Sequence, residues 1–319
     1  MRLADLPLEK LPSYGGTNPR PEDFDDYWKR GLEELAGTNP DVKLARNEFE
    51  SSFCECFDLY FTGVRGARIH AKYLRPTGVT EPHPAILEFH GYSGSAGDWS
   101  TKLPWAAEGF SVLSMDCRGQ GGLSEDNGGV KGTTLRGHII RGLDDQPDNL
   151  LFRHIFLDTA QLARIAMEMP EVDGSRIGAT GGSQGGGLTI ACGALEPRVK
   201  LLAPVFPFLS DYKRVWDLEK TQRAYEEIGD YFRRFDPQHK REREIFTRLG
   251  YIDIQNLAPR IRGEVMLAVG LMDDVCPPST QFAAYNKITS EKSVEIYPDF
   301  THEALPGHTD RIFQFMRRL

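Results

Sequence analysis

Five short apolar runs constrain what this chain can become: Ala85 to Phe89, Phe110 to Met115, Ile177 to Thr180, Val265 to Val269 and Val294 to Tyr297. Longer segments, several with helical spacing, separate them, and Leu201 to Phe206 reads as a sixth run. Short, nearly continuous apolar runs suit strands buried on both faces. Their alternation with helical segments predicts a mostly parallel sheet with helices on both faces, an α/β fold. Over residues 150–169, Leu151, Ile155, Leu162, Ile165, Ala166 and Met169 supply one apolar helix face.

The rest of the chain frames this repeat. Residues 1–319 are read as one α/β domain with two additions. The first is an N-terminal extension of about residues 1–80. There, Pro21-Glu22-Asp23 opens a helix carrying Phe24, Trp28, Leu32 and Leu35, and residues 53–74 form a hairpin turning at Val64-Arg65-Gly66. Trp28 is expected to serve packing. The second is a charge- and aromatic-rich helical insertion over about residues 210–260, either a solvated layer or a cap over the site.

Composition narrows the partners. The net charge of −8, without a long run of one sign, gives no basic face for nucleic acid. No stretch approaches the ~20 apolar residues of a membrane helix. The five cysteines, Cys54, Cys56, Cys117, Cys192 and Cys276, include no CxxC pair, so neither a disulfide framework nor a zinc site is expected. The N-terminus lacks the apolar core of a signal peptide, and with reduced thiols this makes a cytoplasmic location the expectation.

The chemistry gathers where runs end. Gly181-Gly182-Ser183-Gln184-Gly185 is G-x-S-x-G, lying between the run Ile177 to Thr180 and the apolar helix opened by Gly186-Gly187-Leu188. Strand, sharp turn, helix is the setting of the nucleophile elbow in an α/β-hydrolase fold, the fold class expected here. It makes Ser183 the candidate nucleophile and the backbone N–H of Gln184 one oxyanion donor, at a helix N-terminus that favours developing negative charge. A serine hydroxyl needs a base. The chain order of this fold, serine then acid then histidine, leaves His302 and His308, and His302 follows its run by the shorter loop. The acid follows the run Val265 to Val269, in Gly270-Leu271-Met272-Asp273-Asp274, where either aspartate could orient the imidazole. The loop His90-Gly91-Tyr92-Ser93-Gly94 is where this fold supplies a second oxyanion donor, the Tyr92 N–H. Arg118-Gly119-Gln120-Gly121-Gly122 lacks both phosphate-loop patterns, and Arg118 is read as a brace for the neighbouring loops.

Taken together, Arg118-Gly119-Gln120, Gly181-Gly182-Ser183-Gln184-Gly185 and His302-Glu303 resemble the RGQ, GxSQG and HE motifs of the acetyl xylan esterase and cephalosporin C deacetylase family, carbohydrate esterase family 7. Tyr14-Gly15-Gly16-Thr17-Asn18-Pro19 and Pro277-Pro278-Ser279-Thr280 extend the resemblance over essentially the whole chain. The resemblance implies Ser183 as nucleophile, His302 as base, Asp273 as acid, Tyr92 and Gln184 as oxyanion donors, and Arg118 and Gln120 as supporting residues. It implies removal of acetyl groups from acetylated xylo-oligosaccharides and cephalosporin C, no metal or organic cofactor, and a homohexamer whose sites face an internal cavity. Small acetylated sugars or acetyl esters are then the partners. The rivals are a general short-chain carboxylesterase, a serine peptidase of the same fold and a non-catalytic binding protein.

Overall fold

The computed structural model describes residues 5–129, 137–220 and 223–319. After a 3₁₀ turn at Leu8–Ser13, helix α1 (Phe24–Ala36) buries Phe24, Tyr27, Trp28 and Leu35 on one side, the face its apolar spacing predicts. The antiparallel strands β1 (Lys43–Arg46), β2 (Cys54–Thr62) and β3 (Arg68–Pro76) follow. The expected hairpin is the β2–β3 pair, turning at Val64–Gly66 with Arg65 at φ 60°.

From here strands and helices alternate. Strand β4 (His83–Phe89) leads to α2 (Leu103–Ala107), β5 (Ser111–Met115), α3 (Leu151–Glu168), β6 (Val172–Gly182), α4 (Gln184–Leu195) and β7 (Leu201–Val205). Helices α5 (Tyr212–Asp217), α6 (Glu226–Phe235), α7 (Glu242–Leu249) and α8 (Ile254–Leu257) occupy the expected insertion. Strand β8 (Glu264–Gly270), α9 (Pro278–Lys287), β9 (Lys292–Tyr297) and α10 (His308–Met316) complete the chain. All six apolar runs are strands. Strand β6 starts five residues before the run that announced it, because Val172-Asp173-Gly174-Ser175-Arg176 joins the ladder through an irregularity opposite His83 and Ala85 without apolar continuity.

Among the described residues, nine strands form one sheet in the order β1-β2-β3-β5-β4-β6-β7-β8-β9. Pairings from β5 to β9 are parallel and those among β1, β2, β3 and β5 antiparallel, so the N-terminal strands lengthen the sheet rather than form a separate layer. Central strands β5 and β8 are buried almost throughout, whereas edge strand β1 is exposed at every residue. Helix α3 departs from expectation: Arg153, His154, Asp158 and Gln161 are buried with its apolar residues. The N-terminal extension covers the face that would otherwise meet solvent, and its polar groups answer two of those side chains. Arg153 donates to Glu34 of α1 at 2.7 Å, and Gln161 to the Thr62 carbonyl at 3.0 Å.

Strand order turns back between β4 and β6, since β4 is followed in sequence by β5 on one side and in space by β6 on the other. In open α/β sheets, ligands bind beyond the carboxyl ends of strands at such a switch point. Phe89 and Gly181, the last paired residues of β4 and β6, lie side by side there, so Tyr92 and Ser183 emerge into the same crevice.

Candidate active site

Ser183 caps α4 at φ 57° and ψ −118°, a conformation an L-residue holds only when its surroundings enforce it. Its N–H donates to the Val205 carbonyl at 3.0 Å, and its carbonyl accepts the N–H groups of Phe208 (3.0 Å) and Gly187 (3.1 Å). The two outer glycines of G-x-S-x-G are steric necessities. A Cβ on Gly181 would lie 2.4 Å from the Phe89 carbonyl oxygen, and one on Gly185 only 2.0 Å from it. The elbow is thus wedged between the ends of β4 and β7, with its side chain presented at the start of a twelve-residue helix.

Ser183, His302 and Asp273 come together. The His302 Nε2 lies 3.0 Å from Ser183 Oγ, and its Nδ1 lies 2.9 Å from Asp273 Oδ2. Asp273 is fully buried, Asp274 is exposed, and only Asp273 reaches the imidazole. Its Oδ1 accepts the N–H groups of Val275 (2.9 Å) and Cys276 (2.8 Å), and Gln281 Nε2 donates to Oδ2 at 3.3 Å. A carboxylate held by that many donors keeps its direction. The Phe206 ring packs on the His302 ring at 4.5 Å between centroids. His308, the other candidate base, is buried at the start of α10 against Tyr297, 5.7 Å between ring centroids.

The opposite wall comes from the loops after β4 and β5. His90 ties them together: Nδ1 lies 2.7 Å from the Gly91 carbonyl and Nε2 3.0 Å from the Cys117 N–H. Burial lowers the pKa of His90, and the neutral ring with its proton on Nδ1 satisfies both bonds. Gln120 does more than support. Its Oε1 accepts the Ser93 N–H at 2.9 Å, and its amide pairs reciprocally with that of Gln184 at 2.9 and 3.0 Å, linking the loop of Tyr92 to the residue after the serine. Asp116 stitches further, accepting the Ala96 N–H at 2.6 Å and the Leu123 N–H at 2.9 Å while His70 holds its Oδ2. Arg118 turns away from the crevice. It forms a bidentate pair with Asp158 of α3 at 2.6 and 2.7 Å and donates to the Val64 carbonyl in the hairpin turn at 3.2 Å. It ties the chain after β5 to α3 and to the N-terminal extension.

Two neighbours were not visible in the sequence. Cys276 is buried with its thiol beside Asp273 and His302; burial and the Asp273 charge push its pKa up, so the thiol stays protonated. Asp273, Cys276 and His302 are also the one set among the described residues whose donor atoms converge, within 4.8 Å of one another. Asp273 and His302 are already hydrogen-bonded to each other and the thiol is protonated, so these donor atoms are engaged rather than open to a cation. Glu227 of α6 is the second neighbour, bonded to the Tyr92 hydroxyl. Only its position after folding reveals either residue.

A serine elbow at the switch point of a mostly parallel sheet, with the comparisons that follow, defines the class: a carboxylic ester hydrolase of the α/β-hydrolase fold. Residues 1–319 match the acetyl xylan esterase family (AXE1), and the chain belongs to that family. It is 62% identical to acetyl xylan esterase 1 from Thermoanaerobacterium sp. JW/SL YS485, whose crystal structure superposes with a TM-score of 0.97 over 98% of this chain and 99% of that one. The acetyl xylan esterase from Paenibacillus sp. R4 is 34% identical, with a TM-score of 0.94 and the same coverages. Acetyl esterase Axe7A of Xylanibacter ruminicola is 30% identical over 298 residues, 88% of this chain, and the chain spans 63% of that relative's length.

Proposed function

We propose that this chain removes acetyl groups from small acetylated sugars, acetylated xylo-oligosaccharides among them, and from cephalosporin C, through an acyl-enzyme on Ser183. The reading rests above all on the unbroken hydrogen-bond line from Ser183 Oγ through His302 to Asp273, at 3.0 and 2.9 Å. The relatives' names, acetyl esterase and acetyl xylan esterase, support the acyl group and the sugar.

Each atom then has a task. His302 Nε2 accepts the Ser183 proton as Oγ attacks the ester carbonyl, and Asp273 holds the imidazole tautomer and offsets its charge without taking the proton. The carbonyl oxygen becomes an oxyanion facing the N–H groups of Tyr92 and Gln184. Collapse expels the alcohol, which receives the proton from His302. A water molecule, deprotonated by the same ring, attacks the acetyl-serine and releases acetate.

The test is labelling by a fluorophosphonate probe together with rates on acetylated xylobiose, cephalosporin C and an acylated peptide. Wild type should be labelled, Ser183→Ala should not, and both acetyl esters should turn over. Peptide cleavage at comparable rates would make the chain a peptidase, and an unlabelled wild type would make it a binding protein. The proposed assembly, a homohexamer, rests on the family resemblance; light scattering that finds a stable, active monomer of 35.9 kDa removes it.

A further inference from the structure

The helical insertion reaches the site through one carboxylate. Glu227, near the start of α6, is 3% exposed although it lies in a strongly charged stretch. Its Oε1 accepts the Tyr92 hydroxyl and, at 3.2 Å, the His138 N–H; its Oε2 accepts the Ile140 N–H at 3.0 Å. The Tyr92 hydroxyl accepts the His138 N–H in turn at 2.9 Å. The His138 ring returns to the same loop, with Nε2 3.1 Å from Ser93 Oγ and its centroid 4.9 Å from that of Tyr92. A Cβ on Gly137 would meet the Glu227 carboxyl at 2.3 Å, so that segment has closed onto the carboxylate without room to spare. Three separate pieces of chain, the loop after β4, residues 137–140 and α6, therefore converge on one side chain.

Such a carboxylate is not there for stability. Burying it is unfavourable unless donors compensate, and burial pushes its pKa up to about 7 despite the donors that oppose the shift. What the carboxylate adds is direction, because its hydrogen bonds fix where the Tyr92 ring sits, with Phe208 closing the other side at 5.5 Å between centroids.

We propose that Glu227 is a positioning residue for ester hydrolysis: it anchors the Tyr92 side chain and so aims the Tyr92 backbone N–H at the oxyanion. This rests on the Ser183 acyl-enzyme reading above. An oxyanion donor acts on the transition state far more than on the bound ester, so loosening it lowers kcat and leaves KM nearly unchanged. Removing such a donor altogether costs about 10²–10³ in kcat, and misaiming one should cost less, roughly tenfold.

The experiment compares wild type, Glu227→Gln, Tyr92→Phe and the double variant on p-nitrophenyl acetate, with thermal melts of each. Glu227→Gln retains one acceptor oxygen and turns an amide N–H₂ toward donors. Tyr92→Phe removes only the hydroxyl that Glu227 holds. Each single variant should lose roughly tenfold in kcat with KM within about twofold, and the double should be little worse than the worse single, since both break one linkage. Wild-type kcat in Glu227→Gln, or single losses that multiply in the double, overturns the proposal. If Glu227→Gln melts below the assay temperature, Tyr92→Phe carries the test alone, and an unchanged kcat there is equally fatal. Failure of the underlying reading looks different: wild type itself then shows no burst of p-nitrophenol and no probe label.

Discussion

On the β6–β9 side of the crevice, Ser183, Asp273 and His302 stand at strand ends, held mainly by backbone groups a few residues or one strand away. On the β4–β5 side, the loops of Tyr92 and Gln120 are held by side chains from across the fold: His70 of β3, acting through Asp116, and Glu227 of the insertion. Arg118, at the base of the same loops, is anchored by Asp158 of α3. In the proposed mechanism the first side carries the groups that exchange protons and form bonds, and the second carries an oxyanion donor that only has to point correctly. Local backbone fixation suffices where the sheet itself aligns the reacting groups. A donor on a longer loop needs side-chain anchors, and these can be cut one at a time.

The largest expected effect lies on the first side. Ser183→Ala and His302→Ala should each lower kcat by roughly 10⁶-fold, and the double variant should be little worse because the groups act as a unit. Asp273→Asn should cost roughly 10⁴-fold, as the wrong imidazole tautomer is then stabilised, while Asp274→Asn, at an exposed position, should be nearly silent. Steady-state kinetics on p-nitrophenyl acetate checks all four, and a crippled Asp274→Asn with an active Asp273→Asn would reverse the assignment.

The second side should break through stability first. Arg118 and Asp158 are both essentially unexposed, so Asp158→Asn leaves an uncompensated buried guanidinium. The expected loss is about 3–5 kcal/mol. Changing both partners to apolar residues, Arg118→Met with Asp158→Leu, should recover most of it by the same argument. Urea unfolding at neutral pH measures this, and a loss under about 1 kcal/mol for Asp158→Asn would mean the pair is not the anchor its geometry suggests.

Glu227 gives this side a pH signature. Its pKa rises from the ordinary 4.5 to about 7 on folding, because burial disfavours the charged form. Between those values the folded chain keeps a proton that the unfolded chain has lost, so this group's contribution to stability falls as pH rises from about 4.5 to 7 and levels off above. The titratable groups facing it are Tyr92, His138 and Tyr212. Burial lowers His138 to about 4, which works in the opposite sense, and the tyrosines titrate far above this window. The difference between wild type and Glu227→Gln isolates the carboxyl: wild type should lose ground to the variant with rising pH and then run parallel above about 7.5. Parallel curves from pH 4.5 upward would contradict the buried carboxyl.

The same contrast explains what the sequence could disclose. Ser183 was legible because its constraints are local: an apolar strand, glycines where no Cβ fits, and a helix. Chain order narrowed the proposed base to His302 and His308, and the shorter loop favoured His302. Asp273 and Asp274 could not be separated by residue pattern alone, since burial alone distinguishes them. Glu227 was hidden because Glu226-Glu227-Ile228-Gly229-Asp230 reads as a solvated helix start, and nothing local says which glutamate turns inward. Strand β1 was missed for the converse reason: Lys43-Leu44-Ala45-Arg46 is exposed throughout, so no core face marks it.

The smallest expected effect sits where the two sides meet. Phe206, packed on His302, comes from the β6–β9 side, and Tyr92, in edge contact with Phe208, comes from the other. If these rings wall the acyl pocket, an acetyl group on Ser183 lies among them and each further methylene must displace one. Overpacking a tight site costs roughly 1–3 kcal/mol, or about one to two powers of ten in rate at 1.36 kcal/mol per tenfold. The order of kcat/KM for p-nitrophenyl esters should therefore be acetate, then butyrate, then octanoate. The contrast between sides adds a finer expectation. Phe206 is fixed by the sheet-end backbone through its N–H to the Ala268 carbonyl at 2.8 Å, whereas the Tyr92 ring is held by Glu227. Glu227→Gln should then relax the discrimination, because a ring no longer anchored can yield to a longer acyl chain at less strain. Acetate and octanoate turned over equally by wild type would sink the small pocket. Undiminished selectivity in Glu227→Gln would mean that Phe206 and the sheet end set acyl length alone, without help from the insertion.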